Sequence, residues 1–373
     1  MVINMQLPKL FRTCPVVFAA GDDYQIMVPV YAQALFWVEI GTQKYYDHTN
    51  GIMVSDTDMH RVSVPQNVLD EAYEYTVVYR KIIDRKPYFP ETEDEVRCTF
   101  AFHPVRSLEE TDTIRFYHIS DVHGHPSPAI QAGSFFGDDL DFLILNGDII
   151  DHSGDTKNFE VIFQIAEALT HGTKPVICAR GNHDMRGFCA ERIKDYTPAV
   201  NGKTYYPVRL GSLYFILLDC AEDKNDDSTE YGHTVACHAF REEQTAYLKG
   251  LIAHANQMYD APGIVHTFAV AHTPFTTVQP KPFDIEQDLY REWVTLLSEN
   301  VHPDLLICGH MHKVEWYLPG SSHDHFGQTF PTVVAAEPKG DAFIGGAFTV
   351  TKDRVTVQFT DENHNVISSW QNN

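Results

Sequence analysis

The chain has 373 residues, 43% of them hydrophobic, which is enough for about two domains of 100–200 residues with packed cores. No uninterrupted apolar run reaches about 18 residues, so no membrane-spanning helix is expected. Fifty-one Asp and Glu against 28 Lys and Arg give a formal charge of −23. No Lys/Arg run offers the basic surface that nucleic-acid phosphates need, so neither a nucleic-acid nor a membrane partner is expected.

The opening stretch, MVINMQLPKLFRTCP, lacks a long apolar run behind a basic start and does not read as a signal peptide. Seven cysteines (14, 98, 178, 189, 220, 237, 308) are scattered, odd in number and form no CxxC. Cys178 and Cys308 lie in apolar runs, where cysteine behaves as a small hydrophobe. This usage predicts a reducing, cytoplasmic compartment, with secretion the alternative if a leader has been removed. Whether Cys14 and Cys98 pair stays open.

Residues 1–105 read as strand, turn, strand: PVVFAA, YQIMVPV, ALFWVEIG, HRVSVP, YEYTVVYRKI and CTFAFHP. The runs are short, rich in β-branched and aromatic residues, and punctuated by signals such as Asn50-Gly51. An all-β sandwich is expected, with an oligomer through it conceivable. Within it, LDEAYEY (Leu69 to Tyr75) resembles the leucine-plus-tyrosine signature of fibronectin III and immunoglobulin-like domains. That resemblance implies a tyrosine hydrogen-bonded to loop backbone; an ordinary strand tyrosine is the alternative.

A polar linker is expected at 106–112, and a second domain over 113–373. Apolar strands there alternate with helical segments at Asn158–His171, Phe240–Gln257 and Asp284–Asn300, as in a sheet buried between helices. The strand ends carry the chemistry. IRFYHIS runs into Asp121 and His123, FLILN into Asp148 and then Asp151, and PVICA into Arg180, Asn182, His183 and Asp184. TFAVA runs into His272, and LLIC into His310 and His312, which are expected on one side of an extended segment. Polar groups at carboxyl ends of strands converge on a crevice in open α/β sheets.

Asp, Asn and His without thiolate suit manganese, iron, zinc or nickel. Seven ligands are too many for one ion with an open position, but they divide between two if one carboxylate is shared.

The ordered blocks DVH, GDIID, GNHD, AH and GHMH resemble the calcineurin-like metallophosphoesterase family over roughly residues 113–360. The resemblance implies two mixed β-sheets packed face to face with helices outside. It also implies one metal at Asp121, His123, Asp148 and His312, and a second at Asp148, Asn182, His272 and His310. A metal-bridging hydroxide would be the nucleophile, and His183 the general acid, oriented by Asp184. Arg180 would donate to a phosphate oxygen or pair with a carboxylate, and Asp151 would support a ligand histidine. The layout with an N-terminal sandwich also resembles purple acid phosphatases. Those enzymes carry a tyrosine three residues after the bridging aspartate; this chain has Asp151 there, so a colourless enzyme is expected.

The function so implied is hydrolysis of a small phosphoester, a monoester first and a diester as alternative. A non-catalytic, partner-binding protein is the reading from another class. His118, inside an apolar run, is expected in the core. His125, His323, His325 and the acidic stretch 220–233 are candidates for the cleft or plain surface.

Overall fold

The computed structural model describes residues 7–372. The N-terminal part forms β1 (Val16–Ala20), β2 (Asp23–Pro29), β3 (Ala34–Ile40), β4 (Met59–Pro65), the short helix α1 (Gln66–Ala72), β5 (Glu74–Asp84) and β6 (Val96–Ala101). Antiparallel β1-β2-β4 lies against antiparallel β6-β5-β3. Ile26, Val28, Val62 and Val64 of the first sheet meet Phe36, Val38, Val77 and Phe100 of the second, and Leu69 of α1 joins them. These are alternate positions on their strands, as burial of one face of each sheet requires.

The remainder supplies β7 (Ile114–Ile119), α2 (Pro126–Gly133), β8 (Phe142–Asn146), α3 (Glu160–Thr170), β9 (Pro175–Ala179), β10 (Pro207–Leu210) and β11 (Leu213–Leu217). It continues with α4 (Cys237–Ala253), β12 (His266–Val270), α5 (Gln287–Leu296), β13 (Leu305–Cys308), β14 (Thr332–Lys339) and β15 (Ala342–Thr351). The strand order is β10-β11-β12-β13-β14-β15-β7-β8-β9-β1-β2-β4. Strands β7-β8-β9 and β11-β12-β13-β14 are parallel sets, joined through antiparallel β14-β15-β7.

The two parallel sets fold over a shared aromatic core. Phe116 of β7 lies 4.7 Å from Phe142 and 4.5 Å from Phe348 on its own side, and 6.0 Å edge-on from Phe215 of β11. Helices cover the outer faces. In α3, Ile162, Ile165, Ala166 and Leu169 repeat at helical spacing and pack toward Leu143, Val176 and Cys178. On the other side Leu248 of α4 and Trp293 of α5 pack toward Ile216, Ala269 and Leu306.

The stretch 106–112 divides the sequence but not the sheet. Val17 and Phe18 of β1 pair in parallel with Pro175 and Val176 of β9. The sandwich's first sheet is therefore a continuation of the second region's sheet, and it covers what would be a bare edge at β9. Tyr75, from the leucine-plus-tyrosine signature, is buried and donates to the Gly172 carbonyl at 2.7 Å. The loop that it anchors belongs to the second region. All seven cysteines are free thiols, Cys14 and Cys98 included. No helix among the described residues is long and apolar enough to cross a membrane.

Candidate metal centre

The candidate ligands stand just past their strands: Asp121 after β7, Asp148 after β8, Asn182 after β9, His272 after β12, His310 and His312 after β13. The sequence puts apolar residues up to each strand end and a turn immediately after. Asp121, His123, Asp148, His310 and His312 all take positive φ, between 47° and 69°. Such backbone is uncommon outside glycine and marks sites where surrounding structure imposes the shape. His310 and His312 are accordingly not side by side on an extended segment. The turn sends His310 toward Asp148 and His272, and His312 toward Asp121 and His123.

Two groups result. In the first, Asp121, His123 and His312 each bring a ligand atom within 4.8 Å of the others. His123 Nε2 lies 3.0 Å from His312 Nε2, which lies 3.4 Å from Asp121 Oδ1. In the second, Asp148, His272 and His310 do the same, with His272 Nε2 3.1 Å from Asp148 Oδ2. His272 Nε2 is also 3.7 Å from Asp121 Oδ1, so the groups adjoin.

These residues fit metal ions. His272 Nδ1 donates to the Asn146 carbonyl at 2.7 Å, which leaves Nε2 to face the carboxylates. The Asn182 amide oxygen faces two acceptors, His310 Nδ1 at 3.1 Å and Asp148 Oδ2 at 3.3 Å. Acceptors gathered in this way are satisfied by a cation; otherwise the amide turns over and donates its NH₂ instead.

The electrostatics point the same way. Burial would lower the His272 pKa, but Asp148 and Asp121 outweigh it and hold it up at about 10. Burial would raise both carboxyls, yet His272 beside them keeps Asp121 and Asp148 below the usual range. His310, buried and next to His272, is pushed down to about 4 and stays a neutral donor.

His183 lies beside the first group, its ring 4.5 Å from that of His123. Its Nδ1 donates to the Asp151 carbonyl at 2.9 Å. The Asp151 carboxylate is 62% exposed, 3.9 Å from His123 Nδ1 and 3.7 Å from His183 Nδ1. Asp151 thus supports His183 through its main chain, not a ligand histidine through its carboxylate as expected.

Two further expected roles change. Arg180 does not reach the ligands: its Nε pairs with buried Asp219 at 2.7 Å and its guanidinium lies over Phe240. The carboxylate partner wins because Asp219 needs a cation where it is buried. Asp184 does not orient the His183 ring. Its Oδ2 accepts from the main-chain N–H groups of Gly181 at 2.7 Å and Asp148 at 3.2 Å, so it braces the loop that presents Asp148. Burial, then the nearby Asp148 charge, push Asp184 up to about 7.

The arginine at the centre is Arg186, whose Nη1 lies 3.2 Å from His183 Nε2. Its signal in the sequence was a cation three residues past His183, beside Gly187. Among the other candidates, His118 is a core residue between the Ala335 carbonyl and Asn146. His125 is exposed, His323 stacks on Tyr317, and His325 accepts from the Val278 N–H at 3.1 Å. From the acidic stretch, Asp223 lines a cavity of about 400 Å³ with Asp148, Asn182, His183 and His310. Pro280, Phe283 and Met311 form its apolar side.

A sequence model of the family described as calcineurin-like phosphoesterase matches residues 114–314. No curated protein gives a significant match. The fold is similar to that of purple acid phosphatase PPD1 from yellow lupin (Lupinus luteus) seeds: 14% identity, TM-score 0.60, over 97% of this chain and 74% of that one. It is also similar to PhoD, with 11% identity and TM-score 0.57 over 98% of this chain and 91% of that one.

Proposed function

The chain belongs to the calcineurin-like phosphoesterase family and is a phosphoester hydrolase, and from that premise we propose that it hydrolyses small phosphate monoesters at a two-metal centre. The observation that carries the reading is the convergence of Asp121, His123 and His312 on one side, and Asp148, His272 and His310 on the other. Asn182 completes the second group, and Asp148 is the carboxylate that both would share. The donor set, imidazole, carboxylate and amide without thiolate, suits manganese, iron, zinc or nickel. When bound, such ions offset phosphate charge and make the attacking water more acidic.

The chain's own residues do the rest. The carbonyl-anchored Nδ1–H of His272 keeps its Nε2 turned inward. His183 has Nδ1 committed to the Asp151 carbonyl, so Nε2 is the atom that can serve the leaving-group oxygen. To donate there, Nε2 must carry a proton and exchange its contact with Arg186 for one to substrate. Pro280, Phe283 and Met311 offer the leaving group an apolar wall, and the cavity is of the size that holds a small molecule. The free thiols accord with a reducing, cytoplasmic setting.

Hydrolysis of nitrophenyl phosphate and bis-nitrophenyl phosphate, with manganese, zinc, nickel or iron added, tests the reading. The monoester should turn over faster. Faster turnover of the diester would make the protein a phosphodiesterase, and no hydrolysis of either with any metal would contradict the proposal.

A further inference from the structure

Arg186 sits where three parts of the site meet. Its Nε lies 3.0 Å from Glu222 Oε1 and its Nη2 2.8 Å from Glu222 Oε2, a two-pronged pair with a carboxylate only 1% exposed. This grip fixes the guanidinium plane. From that position Nη1 reaches His183 Nε2 at 3.2 Å. Nη2 also lies 3.5 Å from Asp223 Oδ1, on the acidic stretch that walls the cavity. The main chain of Arg186 is held as well, its carbonyl accepting from Ser153 N–H at 2.6 Å.

The partners orient the His183 ring. A carbonyl only accepts and a guanidinium only donates. Between the Asp151 carbonyl at Nδ1 and Arg186 at Nε2, the ring is held at both nitrogens.

We propose that Arg186 is a positioning residue of this site, holding the His183 ring at the cavity from a guanidinium fixed by buried Glu222. The proposal rests on the phosphoesterase reading above. It also makes the acidic stretch part of the machinery, because Glu222 and Asp223 are how Arg186 is held. Without Arg186, His183 keeps one anchor and its ring can swing about the Nδ1 contact.

Two variants separate positioning from stability. Arg186→Met leaves Glu222 buried without its partner and should lower the melting temperature. Arg186→Met with Glu222→Leu removes the whole pair, and exchanging a buried pair for apolar groups restores stability. In both variants kcat should fall about 10²-fold, the scale of a misplaced catalytic group, with KM changed far less and metal content kept. Arg186→Lys, a cation without the fork, should lie between. In zinc-loaded protein, histidine-selective ¹⁵N spectra should show one sharp set of His183 signals in the wild type, and shifted or broadened ones in the double variant. Recovery of kcat together with stability in the double variant, or an unchanged His183 spectrum, would overturn the proposal. Absence of hydrolysis by the wild type would count instead against the phosphoesterase reading, and the spectra would still decide the role of Arg186.

Discussion

Gly181 passes so close to Asp148 that a Cβ at 181 would stand 2.2 Å from Asp148 Oδ1 and 2.5 Å from Asp148 N. Main chain cannot retreat as a flexible side chain can, so the loop of Asp148 must move. Gly181→Ala should therefore lower metal content and activity together, at a stability cost of about 1–3 kcal/mol, as for other overpacked sites. Elemental analysis, turnover and thermal melting check this; wild-type metal content would show that the loop has room.

Binding and chemistry separate at the two neighbouring side chains. Asp148→Asn should weaken metal binding and depress activity on every substrate alike. His183→Ala should keep most of its metal and slow turnover by about 10²–10⁴-fold, the usual share of a general acid. Nitrophenyl phosphate, whose leaving group departs without a proton, should suffer least and an alkyl phosphate most. An equal loss on both would make His183 a positioning group, and loss of metal would make it a ligand.

Acid stability should report on His118. Burial holds its pKa down at about 4, against the ordinary 6.5 of an exposed histidine, and it accepts from the Asn146 side chain while donating to the Ala335 carbonyl. Between these values the unfolded chain binds a proton that the folded one refuses. Stability from this group is therefore complete above 6.5 and is lost as pH falls toward 4. His118→Gln cannot titrate, so its melting temperature should fall less steeply over that window. Parallel wild-type and variant curves would assign the acid sensitivity elsewhere.

The contact between Tyr75 and Gly172 ties the sandwich to the catalytic half. Tyr75→Phe strands a buried carbonyl and should cost about 1–3 kcal/mol of stability, with metal content and kcat unchanged. Thermal melting alongside metal analysis tests it; a loss of metal would show that the junction shapes the centre.

What the sequence showed and what it hid follow from the range of each interaction. Asp121, Asp148, Asn182, His272 and His310 stood out because each ends a continuous apolar strand, a pattern local to a few residues. Pairing of β1 with β9 was hidden, since Val17 and Pro175 lie far apart in the chain and an unpaired edge has no local signature. The choice between Arg180 and Arg186 was hidden for the same reason. It depends on which buried carboxylate each meets, Asp219 or Glu222, and both lie on a distant segment. The left-handed turns at His310 and His312 could not be read either, because histidine takes positive φ more often than most residues but only in a small minority of cases.

Metal stoichiometry is the most direct test of the central claim. Protein supplemented with transition metal and freed of excess should carry close to two ions per chain, as a shared-carboxylate pair requires. It should show no tyrosinate-to-iron colour, because Asp151 stands three residues after Asp148. Chelation should abolish phosphoester hydrolysis, and metal should restore it. One ion or none per chain, with hydrolysis indifferent to chelator, would contradict the two-metal account.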